Sequence, residues 1–89
     1  MSKTPQLPTQ RNGKSTLFRD GEPFMVGKFH FEIEKMYGDF ATGEIPMPPL
    51  PDGEFAMEFE GFEGRHGLNR IYICSAPPHG HYHFGVQPS

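Results

Sequence analysis

The chain has 89 residues, which allows one domain, and a domain this small buries only about 60% of the surface that its unfolded chain exposes. Hydrophobic residues make up 35% of it, a low share, but nine Phe and three Tyr raise the aromatic fraction to 13%, enough for a ring-rich core. A net charge of −3 with only eight Lys and Arg argues against a polyanion-binding domain, and no apolar run approaches the ~20 residues of a membrane span.

Charge is unevenly spread along the chain. Residues 1–31 carry five basic side chains against two acidic ones, residues 32–63 carry nine carboxylates against Lys35 alone, and residues 64–89 hold two arginines and four of the five histidines. Cys74 is the only cysteine, so no disulfide can form within the chain, which fits a reducing compartment. The opening "MSKTPQLPTQRNGKST" lacks the apolar segment of a secretory signal. The expected location is the cytoplasm, or the host cytoplasm or virion if the chain is viral.

Residues 1–13, with Pro5 and Pro8 and almost nothing apolar, read as an extended basic arm ahead of a single β domain over residues 14–89. Within "NGKST", Gly13-Lys14-Ser15 has the ending of a phosphate loop, but the glycine that motif requires five residues earlier is Pro8, so the motif is rejected. "STLFRDGEPFMV" holds two apolar pieces around Asp20-Gly21, a pair suited to the positive φ values of a tight hairpin turn. From Phe24 to Tyr37 side chains alternate as in a long strand, with Phe29, Phe31 and Ile33 on one face and Lys28, His30, Glu32 and Glu34 on the other.

Residues 38–53, "GDFATGEIPMPPLPDG", read as a rigid Pro/Gly-rich crossover, because four prolines remove donors and fix φ. Its PxxP spacing would suit a polyproline ligand, but the flanks Glu44 and Asp52 are acidic, and a stiff loop is the expectation. "EFAMEFEGF" alternates again, with Phe55, Met57 and Phe59 inward and Ala56, Glu58 and Glu60 outward. "NRIYICS" separates Ile71 and Ile73 from Arg70, Tyr72 and Cys74, and Pro77-Pro78 ends it. In the last segment Tyr82, Phe84 and Val86 oppose the histidines. These pieces predict an all-β domain, a small antiparallel barrel or sandwich of about five strands with an extended N-terminal arm.

Two features carry candidate chemistry. His79, His81 and His83 alternate in "PPHGHYHFG", so consecutive ones share a strand face about 6.6 Å apart. That spacing lets two imidazoles meet one ion at 2.0–2.1 Å. The outer pair, about 13 Å apart on a straight strand, needs a bend at Gly80 or a second chain. The intramolecular version therefore takes two adjacent histidines and a donor from His66, Cys74, Glu58 or Glu60, with zinc or iron as the ion. The plain alternative is that the histidines are only the polar face of a strand.

The second feature is acidic. If the strands holding Glu32 and Glu34 and holding Glu58 and Glu60 are neighbours, four carboxylates share one face, where like charges repel unless a cation or a basic partner covers them. On that basis the expected function is a non-enzymatic interaction protein docking this face onto a basic partner surface or larger assembly. Phage-type inhibitors and virion accessory proteins are the expected source; no direct nucleic-acid or membrane contact is foreseen, and a homo-oligomer is allowed. The alternatives are the metal module and a metal-independent ribonuclease drawing on Glu58, His81 or His83, and Arg65 or Arg70.

Overall fold

The fold is best built outward from Asp20-Gly21, the turn foreseen above. Both residues have positive φ (53° and 83°), and they join β1 (Gln10–Arg19) to β2 (Glu22–Glu32) as a two-residue hairpin. The structure is a computed structural model and describes residues 10–88. Asp20 also ties the hairpin tip to the start of a later strand: its amide donates to the Glu54 carbonyl at 2.7 Å, and its Oδ1 accepts from the Glu54 amide at 2.8 Å.

Four further strands follow: β3 (Tyr37–Ala41), β4 (Phe55–Phe59), β5 (Arg65–Ile73) and β6 (Tyr82–Val86). All pairings are antiparallel, in the order β1-β2-β3-β6-β5-β4, and β1 closes the ring by also pairing with β4. The barrel is thus two three-stranded meanders, β1–β3 and β4–β6, and every strand has two neighbours. Closure removes the exposed edges that invite aggregation. Among the described residues there is no helix long and apolar enough to cross a membrane.

Alternation fills the interior with rings. Phe29, Phe31, Phe40, Phe59, Tyr82 and Phe84 join Leu17, Met57, Leu68 and Val86 in one buried cluster. Phe31 stacks on Phe84 with centroids 6.0 Å apart and on Phe59 at 5.6 Å, while Phe29 meets Phe59 edge-on at 4.8 Å. Aromatic pairs of this kind contribute about 0.5–1.5 kcal/mol each beyond their buried area. A chain with few aliphatic residues therefore still closes a dense core.

Three boundaries differ from the sequence reading. The sequence reading ends the arm at Gly13, but Gln10–Gly13 extend β1 and pair with Phe29–Glu32; the rest of the arm, residues 1–9, lies outside the described residues. The sequence reading starts the crossover at Gly38, but Gly38–Ala41 belong to β3, a strand beyond the five expected. The long second strand stops at Glu32, and Ile33–Met36 form a turn closed by Met36 N–H to Ile33 C=O at 3.2 Å. Gly38 and Asp39 disguised β3, since both residue types are depleted in strands.

Gly38 is there for a steric reason: a Cβ at that position would lie 2.3 Å from the His30 carbonyl oxygen and 2.9 Å from Cζ of Phe84. The remaining crossover, from Thr42 to Glu54, caps one barrel end. Met47 is buried, its amide donates to the His79 carbonyl at 2.9 Å, and the Tyr82 hydroxyl donates to the Pro48 carbonyl. Arg19 Nε holds the far end through the Asp52 carbonyl at 2.7 Å.

Gly38→Ala is expected to destabilise the fold by up to about 3 kcal/mol, the top of the usual range for overpacking a filled core. Gly21→Ala meets no atom within 4 Å and should lose only about 1 kcal/mol from its left-handed backbone. Urea unfolding midpoints of the two variants check this ranking, which fails if Gly38→Ala is the milder change.

Candidate metal centre

The strand registers line up a polar row on the outside of the barrel. Asn12 faces His30, His30 faces Asp39, Asp39 faces His83, and His83 faces Tyr72, so one row crosses five strands. Two side-chain contacts along it are tight: His30 Nδ1 to Asn12 Oδ1 at 2.6 Å, and His83 Nδ1 to Asp39 Oδ1 at 2.6 Å. Past the last residues of β5, the Cys74 amide donates to the His81 carbonyl at 2.9 Å, which makes Cys74 and His81 cross-strand neighbours beside this row.

Cys74, His81 and His83 converge. Each offers one ligating atom, and these atoms lie within 4.8 Å of one another. The rings of His81 and His83 meet edge to face with centroids 4.9 Å apart. Tetrahedral bonds of 2.0–2.3 Å set ligand–ligand distances of about 3.3–3.6 Å, so modest side-chain rotations close the set around an ion. Cys74 is buried, yet it stands apart from the residues of the barrel core cluster.

Asp39 orients this group without joining it. An acceptor 2.6 Å from His83 Nδ1 is too close for both atoms to bind one metal, and the contact is a hydrogen bond. It leaves Nε2 of His83 to carry the lone pair, the carboxylate–histidine arrangement common behind metal sites. The same carboxylate oxygen lies 4.0 Å from His81 Nε2.

His79, the third histidine of the sequence motif, is not in the group. Its Nδ1 lies 2.5 Å from the Cys74 carbonyl oxygen and its amide donates to the Ala76 carbonyl at 3.0 Å, so it braces the β5–β6 connection. Of the four further donors considered, Cys74 is the one that lies beside His81 and His83. Of the others, His66 points into the barrel against Phe59 and Phe62, with centroids at 5.6 and 6.4 Å, and its buried Nε2 has no hydrogen-bond partner among the described residues. The orienting Asp39, 44 residues before His83, carried no signal in the sequence.

The four carboxylates do not form a shared row. β1 stands between β2 and β4, and Glu34 lies in the Ile33–Met36 turn rather than on β2. Glu32 pairs with Lys35 at 3.4 Å, Glu58 pairs with Arg65 at 3.4 Å, and Oε1 of Glu60 accepts the Lys14 amide at 2.9 Å. The inward residues of β2 and β4 do meet, through Phe29, Phe31 and Phe59, but across the core. Cross-barrel packing, not sheet adjacency, satisfies the shared periodicity.

Two tyrosines wall in His83. Tyr37 stacks on it at 5.7 Å, Tyr72 flanks it at 5.4 Å, and their hydroxyls meet at 3.2 Å above β6. Burial, reinforced by the hydrogen bond to Tyr72, pushes the Tyr37 hydroxyl well above the ordinary tyrosine range. Burial likewise raises Tyr82, with the negative charge of Glu44 adding to it. Comparisons with known protein families, with curated proteins and with solved structures each find no match.

Both tyrosines favour their neutral forms when folded, so the stability they contribute is whole below the ordinary tyrosine pKa of about 10 and is lost as pH rises beyond it. Thermal melts should therefore hold between roughly pH 8 and 9.5 and fall above about pH 10. In Tyr37→Phe that alkaline fall should be shallower; an unchanged slope would contradict the upward shift of this hydroxyl.

Proposed function

We propose that this protein is a small non-enzymatic metal-binding barrel whose centre is Cys74, His81 and His83, with zinc as the preferred ion. The observation that carries the reading is the approach of one thiol and two imidazole ligand atoms to within 4.8 Å of one another. A thiolate with two imidazoles is a donor set suited to borderline-soft divalent zinc. Iron is the weaker alternative, because no carboxylate joins the set. Asp39 supports the reading by setting the His83 tautomer.

A bound ion would pin the ends of β5 and β6 together across the Ser75–Gly80 connection, so metal and stability should be coupled. Purified protein is expected to hold close to one zinc per chain by elemental analysis. Cobalt substitution should give a sulfur-to-metal absorption band that Cys74→Ser abolishes. His81→Ala should lose metal, Asp39→Asn should weaken it about 10–100-fold, and His79→Ala should retain it. A metal-free preparation that takes up no cobalt, or an affinity untouched by Cys74→Ser, rejects the centre.

The 2.6 Å contact between His83 and Asp39 favours one rival reading, in which Cys74 is a nucleophile, His83 its base and Asp39 the orienting carboxylate. Cys74 is only 7% exposed, which opposes attack on a substrate. Alkylation of the metal-free thiol by iodoacetamide at neutral pH separates the two. Rates above those of free cysteine, lost in Asp39→Asn, would favour the nucleophile over the metal.

A further inference from the structure

Beyond the Tyr37–Tyr72 arch, on the side away from Cys74, lies a cleft of about 270 Å³ between the Ile33–Met36 turn and the middle of β5. Its walls carry Lys35, Tyr37, Asn69 and Arg70, its floor is Gly85, and among the described residues no carboxylate side chain lines it. The floor and the walls depend on each other. A Cβ on Gly85 would lie 2.6 Å from Oδ1 of Asn69 and 3.2 Å from Cγ of Arg70, so both side chains lie directly over the glycine. The β5–β6 register shift between Leu68 and Arg70 brings Asn69 to this position.

The donors at this cleft are underused. Among the described residues neither Arg70 nor Asn69 has a side-chain hydrogen bond or ion pair. Lys35 meets only Glu32, in an exposed contact at 3.4 Å with 70% of the lysine side chain accessible, a kind of pair that is weak and easily shared. Only one of the two tyrosine hydroxyls can donate to the other, so one proton of the arch stays available to an outside acceptor. Two cations, a free amide and a hydroxyl thus border one small cleft with a glycine floor.

We propose that this cleft binds a phosphate group, with Arg70 as the principal contact and Lys35, Asn69 and the tyrosine arch completing the shell. Arg70 offers a planar fork matched to two oxygens of a tetrahedral oxyanion, and Lys35 adds a point charge on the opposite wall. At about 270 Å³ the cleft has room for one phosphate with part of its hydration. The larger groove on the other side of Arg70, about 830 Å³, is lined by Asp52 and Glu54 as well as Arg65, so its mixed charge does not select an anion. The site does not require the metal centre.

Titration of ¹⁵N-labelled protein with inorganic phosphate and, separately, with a simple alkyl phosphate monoester tests the assignment at low salt. Both runs use the Cys74→Ser background with chelator present, so that an anion bound to a metal cannot mimic the result. Saturable shifts centred on Asn69, Arg70 and Gly85 are expected, weakened at least tenfold by Arg70→Gln and several-fold by Lys35→Gln, while Arg65→Gln changes nothing. A tighter monoester marks an esterified ligand, and equal or tighter inorganic phosphate marks the free ion; both support the cleft. Shifts that do not saturate, or that saturate unchanged in Arg70→Gln with its fold verified by circular dichroism, overturn it.

Discussion

Everything described depends on the ladder between β1 and β4, the one that turns two meanders into a ring. Without it, β1 and β4 would each expose a row of unpaired amides and carbonyls, and the aromatic cluster would open on one side. With it, inward residues meet partners from strands that are not neighbours in the sheet. Phe59 of β4 touches Phe29 and Phe31 of β2 and Phe84 of β6 across the interior. The ring converts a hydrophobic content that is low for a globular chain into a closed core, because large flat side chains from four strands, with Leu17 and Leu68 from the other two, share one small volume.

Closure also determines what lies outside. Since side chains alternate with period two, a register that sends Phe29, Phe31, Phe40, Tyr82 and Phe84 inward must send His30, Asp39 and His83 outward together. The polar row is therefore a by-product of core packing, and a slip by one residue on any strand would scatter it. The candidate metal ligands and the phosphate cleft sit on either side of the tyrosine arch that spans β6. Gly85, with no side chain of its own, lies opposite Tyr37 and gives Asn69 and Arg70 their place over its Cα.

The connecting segments are built as firmly as the strands. The proline-rich crossover works as a lid on the barrel end, holding Met47 in the core and meeting the hydroxyl of Tyr82. His79, at positive φ, uses its ring to hold the Cys74 carbonyl and its own carbonyl to accept the Met47 amide. One residue thus links the lid to the segment that carries the thiol. The histidine with the most local appeal as a ligand is the one that the backbone has already claimed.

The residues alone determined the Asp20-Gly21 turn, the all-β class and the alternation read over 28–34, 55–60 and 81–86, of which 28–32, 55–59 and 82–86 are strand, because each rests on contacts within a few positions. Tertiary structure decided the rest. It made β3 a strand because Gly38 leaves room for the Phe84 ring, and it put β1 between the two acidic strands, dispersing Glu32, Glu34, Glu58 and Glu60. It also chose Cys74 over His66 and brought Asp39 to His83 across 44 positions. The physical reason is that sheet neighbours are selected by long-range closure and packing of the whole set of rings, a many-body outcome that no local spacing encodes.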